Sequence, residues 1–103
     1  MYVTLRTYYA REGEEDAIVA LHEDWQRHLR TRALGYLAGE LLHDIRHPRL
    51  FIAIAHYESA DAATAVARDP EYAAWQHRLS SLCQSVPERG EFQTVWQHGR
   101  PPV

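Results

Sequence analysis

The sequence predicts one small α+β domain with the element order β-α-β-β-α-β, the ferredoxin-like split arrangement. At 103 residues the chain has room for a single modest core. Four stretches are rich in strand-forming or continuously apolar residues, and two longer stretches space their apolar residues as one face of a helix. Turn and cap residues separate these stretches, with no internal linker, repeat or low-complexity segment. The order gives a four-stranded antiparallel sheet with both helices on one face. The domain is expected over residues 1–98, followed by a flexible tail over 99–103 that contains Pro101-Pro102.

Each element has a local cause. Tyr2 to Tyr9 is rich in β-branched and aromatic residues and reads as a strand. Glu12, Glu14, Glu15 and Asp16 gather acid where the positive end of a helix dipole would lie. Beyond them Ile18, Leu21, Trp25 and Leu29 fall on one helical face, with His22 at its edge. Leu34-Gly35 ends that helix, and Tyr36 to His43 reads as the second strand. Asp44 to Pro48 is a turn, because Pro48 has no N–H to give to a ladder. Leu50 to Tyr57 is almost continuously apolar, as expected of a strand central in its sheet and buried on both faces. Ser59 caps a short helix from Ala60 to Arg68, and Asp69-Pro70 restarts it with a cap and a first-position proline. Val86 to Gly90 reads as a loop and Phe92 to Gln97 as the last strand.

That third strand has a further consequence. If helices cover one face of the sheet, the outward members of Phe51-Ile52-Ala53-Ile54 need another cover, and this short chain has no spare element. A second copy packed on the bare sheet face is the expected answer, making the protein a homodimer.

Composition narrows the partners. A net charge of -3 with mixed signs gives no electrostatic case for nucleic acid or an anionic membrane. No apolar run approaches the ~18 residues that span a bilayer, and no signal peptide opens the chain. The lone Cys83 cannot form an internal disulfide, so the cytoplasm is the expected location. All 11 basic residues are Arg, which excludes Schiff-base chemistry by a lysine of this chain. Seven His residues invite a metal, but none forms a helical His-x3-His pair or completes a ligand pattern. Cys83 has no neighbouring base and reads as an inert core thiol.

Several segments together carry a resemblance. They are Gly35-Tyr36-Leu37-Ala38-Gly39-Glu40-Leu41-Leu42-His43-Asp44, Arg49-Leu50-Phe51, His56-Tyr57-Glu58-Ser59 and Asp69-Pro70-Glu71-Tyr72-Ala73-Ala74-Trp75. In order and spacing they resemble the antibiotic biosynthesis monooxygenase family, over roughly Tyr2 to Gln97. The resemblance implies the dimeric α+β barrel, in which two such sheets close on each other. It implies either a cofactor-independent oxygenase acting on phenols and quinols or a haem-degrading enzyme, and the family also holds proteins without a known activity. Haem-degrading relatives use an Asn on the first strand, a Trp in the helix after the third strand and a His near that helix's end. Those positions here carry Arg6, Val66 and Gln76, which disfavours haem degradation and leaves no cofactor expected.

Oxygenating an activated phenol without a cofactor needs a flat apolar pocket, a group to stabilise the phenolate, and exclusion of water. Helical spacing turns His22 and Trp25 toward the sheet from the first helix, and Tyr72, Trp75 and Gln76 from the last. Thr4, Arg6 and Tyr8 share one face of the first strand, and the resemblance, with Arg6 at the family's Asn position, implies that this face looks into the pocket. Arg6, to hold a phenolate or carboxylate, and His22, as a base near neutral pH, are the catalytic candidates. Trp25, Tyr72, Trp75 and Gln76 are the substrate-binding candidates. Four have a structural alternative: the two Trp as core packing, His22 as a boundary residue, Arg6 paired with Glu40 or another cross-strand acid. Tyr57 reads as structural. Two functions stay open, a small oxygenase for an aromatic, quinol-like molecule and a non-catalytic stress-response or ligand-binding dimer on the same scaffold.

Overall fold

In a computed structural model the chain is described over residues 1–99, with nothing said of the Arg30 and Thr31 side chains. The expected tail therefore lies, beyond Gly99, outside the described residues. The elements are β1 (Tyr2–Tyr9), α1 (Glu15–Arg32), β2 (Tyr36–His43), β3 (Leu50–Tyr57), α2 (Ala60–Ala67), α3 (Pro70–Ser81) and β4 (Glu88–Gln93). All strand pairs are antiparallel and the sheet order is β2-β3-β1-β4, the ferredoxin-like topology, with β3 in the interior. No helix among the described residues is long and apolar enough to cross a membrane.

The local signals act as read. The Ser59 side chain accepts the Ala62 N–H at 3.2 Å, and Asp69 accepts that of Glu71 at 2.9 Å with Pro70 in the first turn. Caps of this kind each contribute about 1 kcal/mol to helix stability. Asp44 accepts the N–H groups of Arg46 and His47, closing the turn before β3. Both bonds hold its carboxyl below the usual carboxylate range. Gly35 takes φ +83°, and a Cβ there would stand 2.7 Å from that of Ala62. It is what allows α1 to turn back into β2 beside the start of α2.

One boundary differs from the expectation. β4 begins at Glu88 and ends at Gln93, four residues earlier than the last strand read from Phe92 to Gln97. Its extent is set by the ladder to β1, from Thr7↔Glu88 to Tyr2↔Gln93, so a polar Glu-Arg-Gly-Glu segment becomes strand through its partner.

Cross-strand partners share a side, so the register sorts the sheet into two faces. One carries Tyr2, Thr4, Arg6 and Tyr8 of β1 with Phe51, Ala53, Ala55 and Tyr57 of β3, and meets the helices. Tyr8, Phe51, Ile18, Leu21, Trp75 and Leu79 form the core at one end, and Leu29, Tyr57, Ala63 and Val66 at the other. Cys83 is buried in the first cluster, and burial raises its thiol pKa. The opposite face presents Val3, Leu5, Leu42, Ile52, Ile54 and Phe92, none of them in either cluster. The third strand is therefore covered by helices on one side only.

Candidate active site

Between the helices and the sheet lies a cavity of about 480 Å³. Arg6, His22, Trp25, Tyr72 and Trp75 line it, so five of the six residues singled out from the sequence converge on one space. Trp25 and Trp75 stack on each other at 5.4 Å, and the cavity persists beside them. Trp75 is fixed: it is 4% exposed and its indole N–H donates to the Leu21 carbonyl at 3.1 Å. Trp25 lies between it and His28, stacking on the imidazole at 4.7 Å. His28 in turn holds the second oxygen of the α3 cap Asp69 at 2.8 Å, tying α1 to the start of α3. That bond, with the Glu71 amide, keeps the Asp69 carboxyl below its ordinary range.

Arg6 reaches the cavity from the middle of β1. Its guanidinium donates to the Tyr72 hydroxyl and lies 5.7 and 5.6 Å from the Tyr72 and Trp75 ring centres. Its strand partners are Ala53 and Arg89, and among the described residues no carboxylate lies within ion-pair distance of it. The expected alternative of an Arg6–Glu40 pair is not formed, because Glu40 stands opposite Ile54 on the other side of the sheet. With Arg6 donating to it, the Tyr72 oxygen is left with its own proton to offer elsewhere.

His22 is held differently. Nδ1 lies 2.9 Å from the Ile18 carbonyl, which can only accept, so this nitrogen carries the proton of a neutral ring. Nε2 then accepts the Tyr8 hydroxyl at 2.6 Å. Tyr8 is 1% exposed, and burial raises its pKa well above the ordinary value. Burial also lowers the His22 pKa, with a smaller push in the same direction from Arg6. Both ring nitrogens are thus engaged within the protein, and the lone pair a base would use is already bonded to Tyr8.

Gln76 does not join the other five. It is exposed and lines a second cavity of about 350 Å³ together with Arg6, His77, Ser80, Pro87 and Arg89. Trp75 and Gln76 are separated by ~100° around the helix. Trp75 turns toward α1, which leaves Gln76 on the flank above β1 and β4. The position matched to the iron ligand of haem-degrading relatives therefore carries an amide outside the main cavity. Val66, at the Trp position, is core. These residues do not fit a haem. Among the described residues no three His, Cys, Asp or Glu side chains gather to hold a metal ion.

Among the cavity residues not singled out as ligand contacts are Tyr36, Gly39, Tyr57 and Arg89. The Tyr36 hydroxyl donates to Gln26 at 2.6 Å, and a Cβ on Gly39 would lie 2.4 Å from that oxygen. Gly39 is therefore the space into which Tyr36 fits. Tyr57, read as structural, is buried and packs edge-on against Tyr36, and burial pushes its pKa up to about 12.

Against known proteins, residues 1–78 match the model of the antibiotic biosynthesis monooxygenase family. The chain belongs to that family. The match ends before β4, short of the Tyr2 to Gln97 span of the resemblance. Several solved structures share the family fold. A Deinococcus radiodurans protein described as an antibiotic biosynthesis monooxygenase superposes with a TM-score of 0.83 at 15% identity, covering 98% of this chain and 99% of its own. A Nitrosomonas europaea protein of the same description gives 0.80 at 15%, covering 93% and 100%. A mutant of SnoaB, a cofactor-independent oxygenase from Streptomyces nogalater, gives 0.78 at 19%, covering 93% and 95%. No curated protein sequence matches the chain significantly.

Proposed function

We propose that this family member is a cofactor-independent monooxygenase that takes an aromatic, quinol-type molecule into the cavity between helices and sheet. The observation that carries the reading is the Arg6–Tyr72 pair, a cation and a hydroxyl side by side in an otherwise aromatic wall. On an anthrone-like ring the net change is CH2 to C=O, with one oxygen of O2 entering the product and the other leaving as water. Ionising the ring is the step that needs help. Arg6 and Tyr72 are suited to it, because donors fixed in advance on a developing oxyanion commonly contribute ~10²–10³ in rate. Trp25 and Trp75 supply a flat platform for the ring.

The active form is proposed to be a homodimer closed over the bare sheet face. Val3, Leu5, Ile52 and Ile54 make that face aliphatic, and Leu42 and Phe92 on it are 42% and 53% exposed. His56 lies on the same face with a buried Nδ1 that has no partner among the described residues. A second copy would cover the apolar surface and place polar groups within reach of that nitrogen. The expected location remains the cytoplasm, from a lone cysteine that can form no internal disulfide.

One observation favours a second reading, a ligand-binding dimer without turnover. His22, the only imidazole lining the cavity among the described residues, has no free nitrogen with which to take a proton. Oxygen uptake on a panel of anthrones and hydroquinones separates the two. Turnover that falls about 100-fold in Arg6→Ala, the scale of a lost oxyanion donor, is the expected result. No uptake with any member, while the same compounds raise the melting temperature, would replace the oxygenase with the binding protein.

A further inference from the structure

The geometry points to a carboxylate on the ligand, clamped between Arg6 and Arg89 where the two cavities meet. This deepens the proposed function, and rests on its placing of an aromatic ligand in the larger cavity. Arg6 and Arg89 are directly opposed across the β1–β4 ladder, on the face toward the helices. Both line the aromatic cavity and both line the smaller one beside it.

Like charges directly opposite each other in a sheet repel, and the arrangement is costly unless an anion lies between them. The protein offers little compensation. Arg89 has one carboxylate, Glu91 at 3.5 Å, and that group is more than half exposed. Arg6 has none within ion-pair distance among the described residues, and its recorded polar contact is with Tyr72, one bond for five N–H donors. Two guanidiniums thus stand at the rim of an apolar space with one solvated acid, which only Arg89 reaches. Their field reaches inward: both act on the Tyr57 hydroxyl across the cavity, opposing the effect of burial there.

The shape of the space agrees with the charge. Trp25, Tyr72 and Trp75 pack into one aromatic wall of the larger cavity, while the smaller one, on the other side of Arg6, is lined by Gln76, His77 and Ser80 together with Ala73, Leu79, Val86 and Pro87. A planar carboxylate matches the forked donors of Arg, and two of them hold it from opposite sides. A ring hydroxyl alone would engage Arg6 and Tyr72 and leave Arg89 without use. Arg89 belongs to β4, which the family-model match over residues 1–78 does not reach.

Titration calorimetry with anthraquinone-2-carboxylate and its uncharged carboxamide tests the clamp on the intact protein. The acid is expected to bind at least about tenfold more tightly at low salt, the scale of one charge-assisted hydrogen bond. The preference should shrink with added salt, and Arg89→Gln should erase it, weakening the acid at least about tenfold more than the carboxamide. Arg89→Lys, which keeps the charge and loses the fork, should retain part of it, a check that does not depend on one variant folding well. Equal affinity for acid and carboxamide would overturn the clamp and leave the aromatic cavity standing. A preference that survives Arg89→Gln would overturn the assignment to this pair. Binding of neither compound would sink the clamp together with the cavity reading on which it rests.

Discussion

The two faces of the sheet come from the same four strands, yet they differ in kind. Toward the helices β1 and β3 place large or polar groups, Arg6, Tyr8, Phe51 and Tyr57, around a space the helices do not fill. Away from the helices the same strands place Val3, Leu5, Ile52 and Ile54, of middling size and without charge. A face built to exclude water everywhere has no need of Arg6 on an interior strand with Arg89 beside it at the edge. A face built to hold a ligand does, because orientation there comes from a few polar groups in an apolar wall. Strand alternation lets a chain this short keep both kinds of surface apart at a spacing of one residue.

The contrast can be broken from the helix side first. Trp75→Ala removes a buried indole and the side-chain hydrogen bond it gives to the Leu21 carbonyl. A loss of ~3–5 kcal/mol in urea unfolding is expected. A loss under 1 kcal/mol would mean that Trp75 belongs to the ligand platform more than to the core.

From the bare side, Ile52→Asp puts a charge at the centre of the proposed contact, where desolvating an unpaired carboxylate costs at least ~2 kcal/mol. Sedimentation should show a dimer becoming a monomer at micromolar concentration, while Leu34→Asp, at a residue 92% exposed, should change nothing. A wild-type monomer, or a dimer indifferent to Ile52→Asp, removes that face as the interface.

The smallest effect concerns the acid–base pair inside the helix-side core. The folded pKa of His22 lies below its unfolded value of about 6.5, so between the two the unfolded chain binds the extra proton. Stability from this group is complete above about pH 6.5 and is lost as pH falls toward the folded pKa, at no more than ~1.4 kcal/mol per pH unit. Unfolding free energies measured from pH 7.5 to 5.5 should decline, and His22→Gln should flatten the slope. An unchanged slope in the variant would show that His22 is not the group held neutral.

Much of this was legible in the chain itself. Element order, both helix caps, the Asp44 turn and the interior position of β3 followed from residues acting on near neighbours, and local rules govern those. His22, Trp25, Tyr72 and Trp75 could be gathered because helix periodicity turns each of them toward the sheet, and Arg6 because the family resemblance turned its strand face toward the same layer. Other features depend on which segments meet. β4 is a strand because β1 lies beside it, and its polar composition gave no such signal. Gln76 sits on the flank of α3 because Trp75 has already claimed the side toward α1. The Tyr8–His22 bond, which takes the lone pair His22 would need as a base, links residues fourteen positions apart through the packing of α1 on β1.

Arg89 is the sharpest case. In sequence it is one more exposed arginine in a polar run, and nothing near it hints at a ligand. Only the β1–β4 register sets it against Arg6, and register is a property of two strands together. The sequence by itself determined the fold, the family and a layer of aromatic residues facing a cation. The tertiary structure alone decided which of those groups are free to act, because a side chain's availability depends on every partner brought to it.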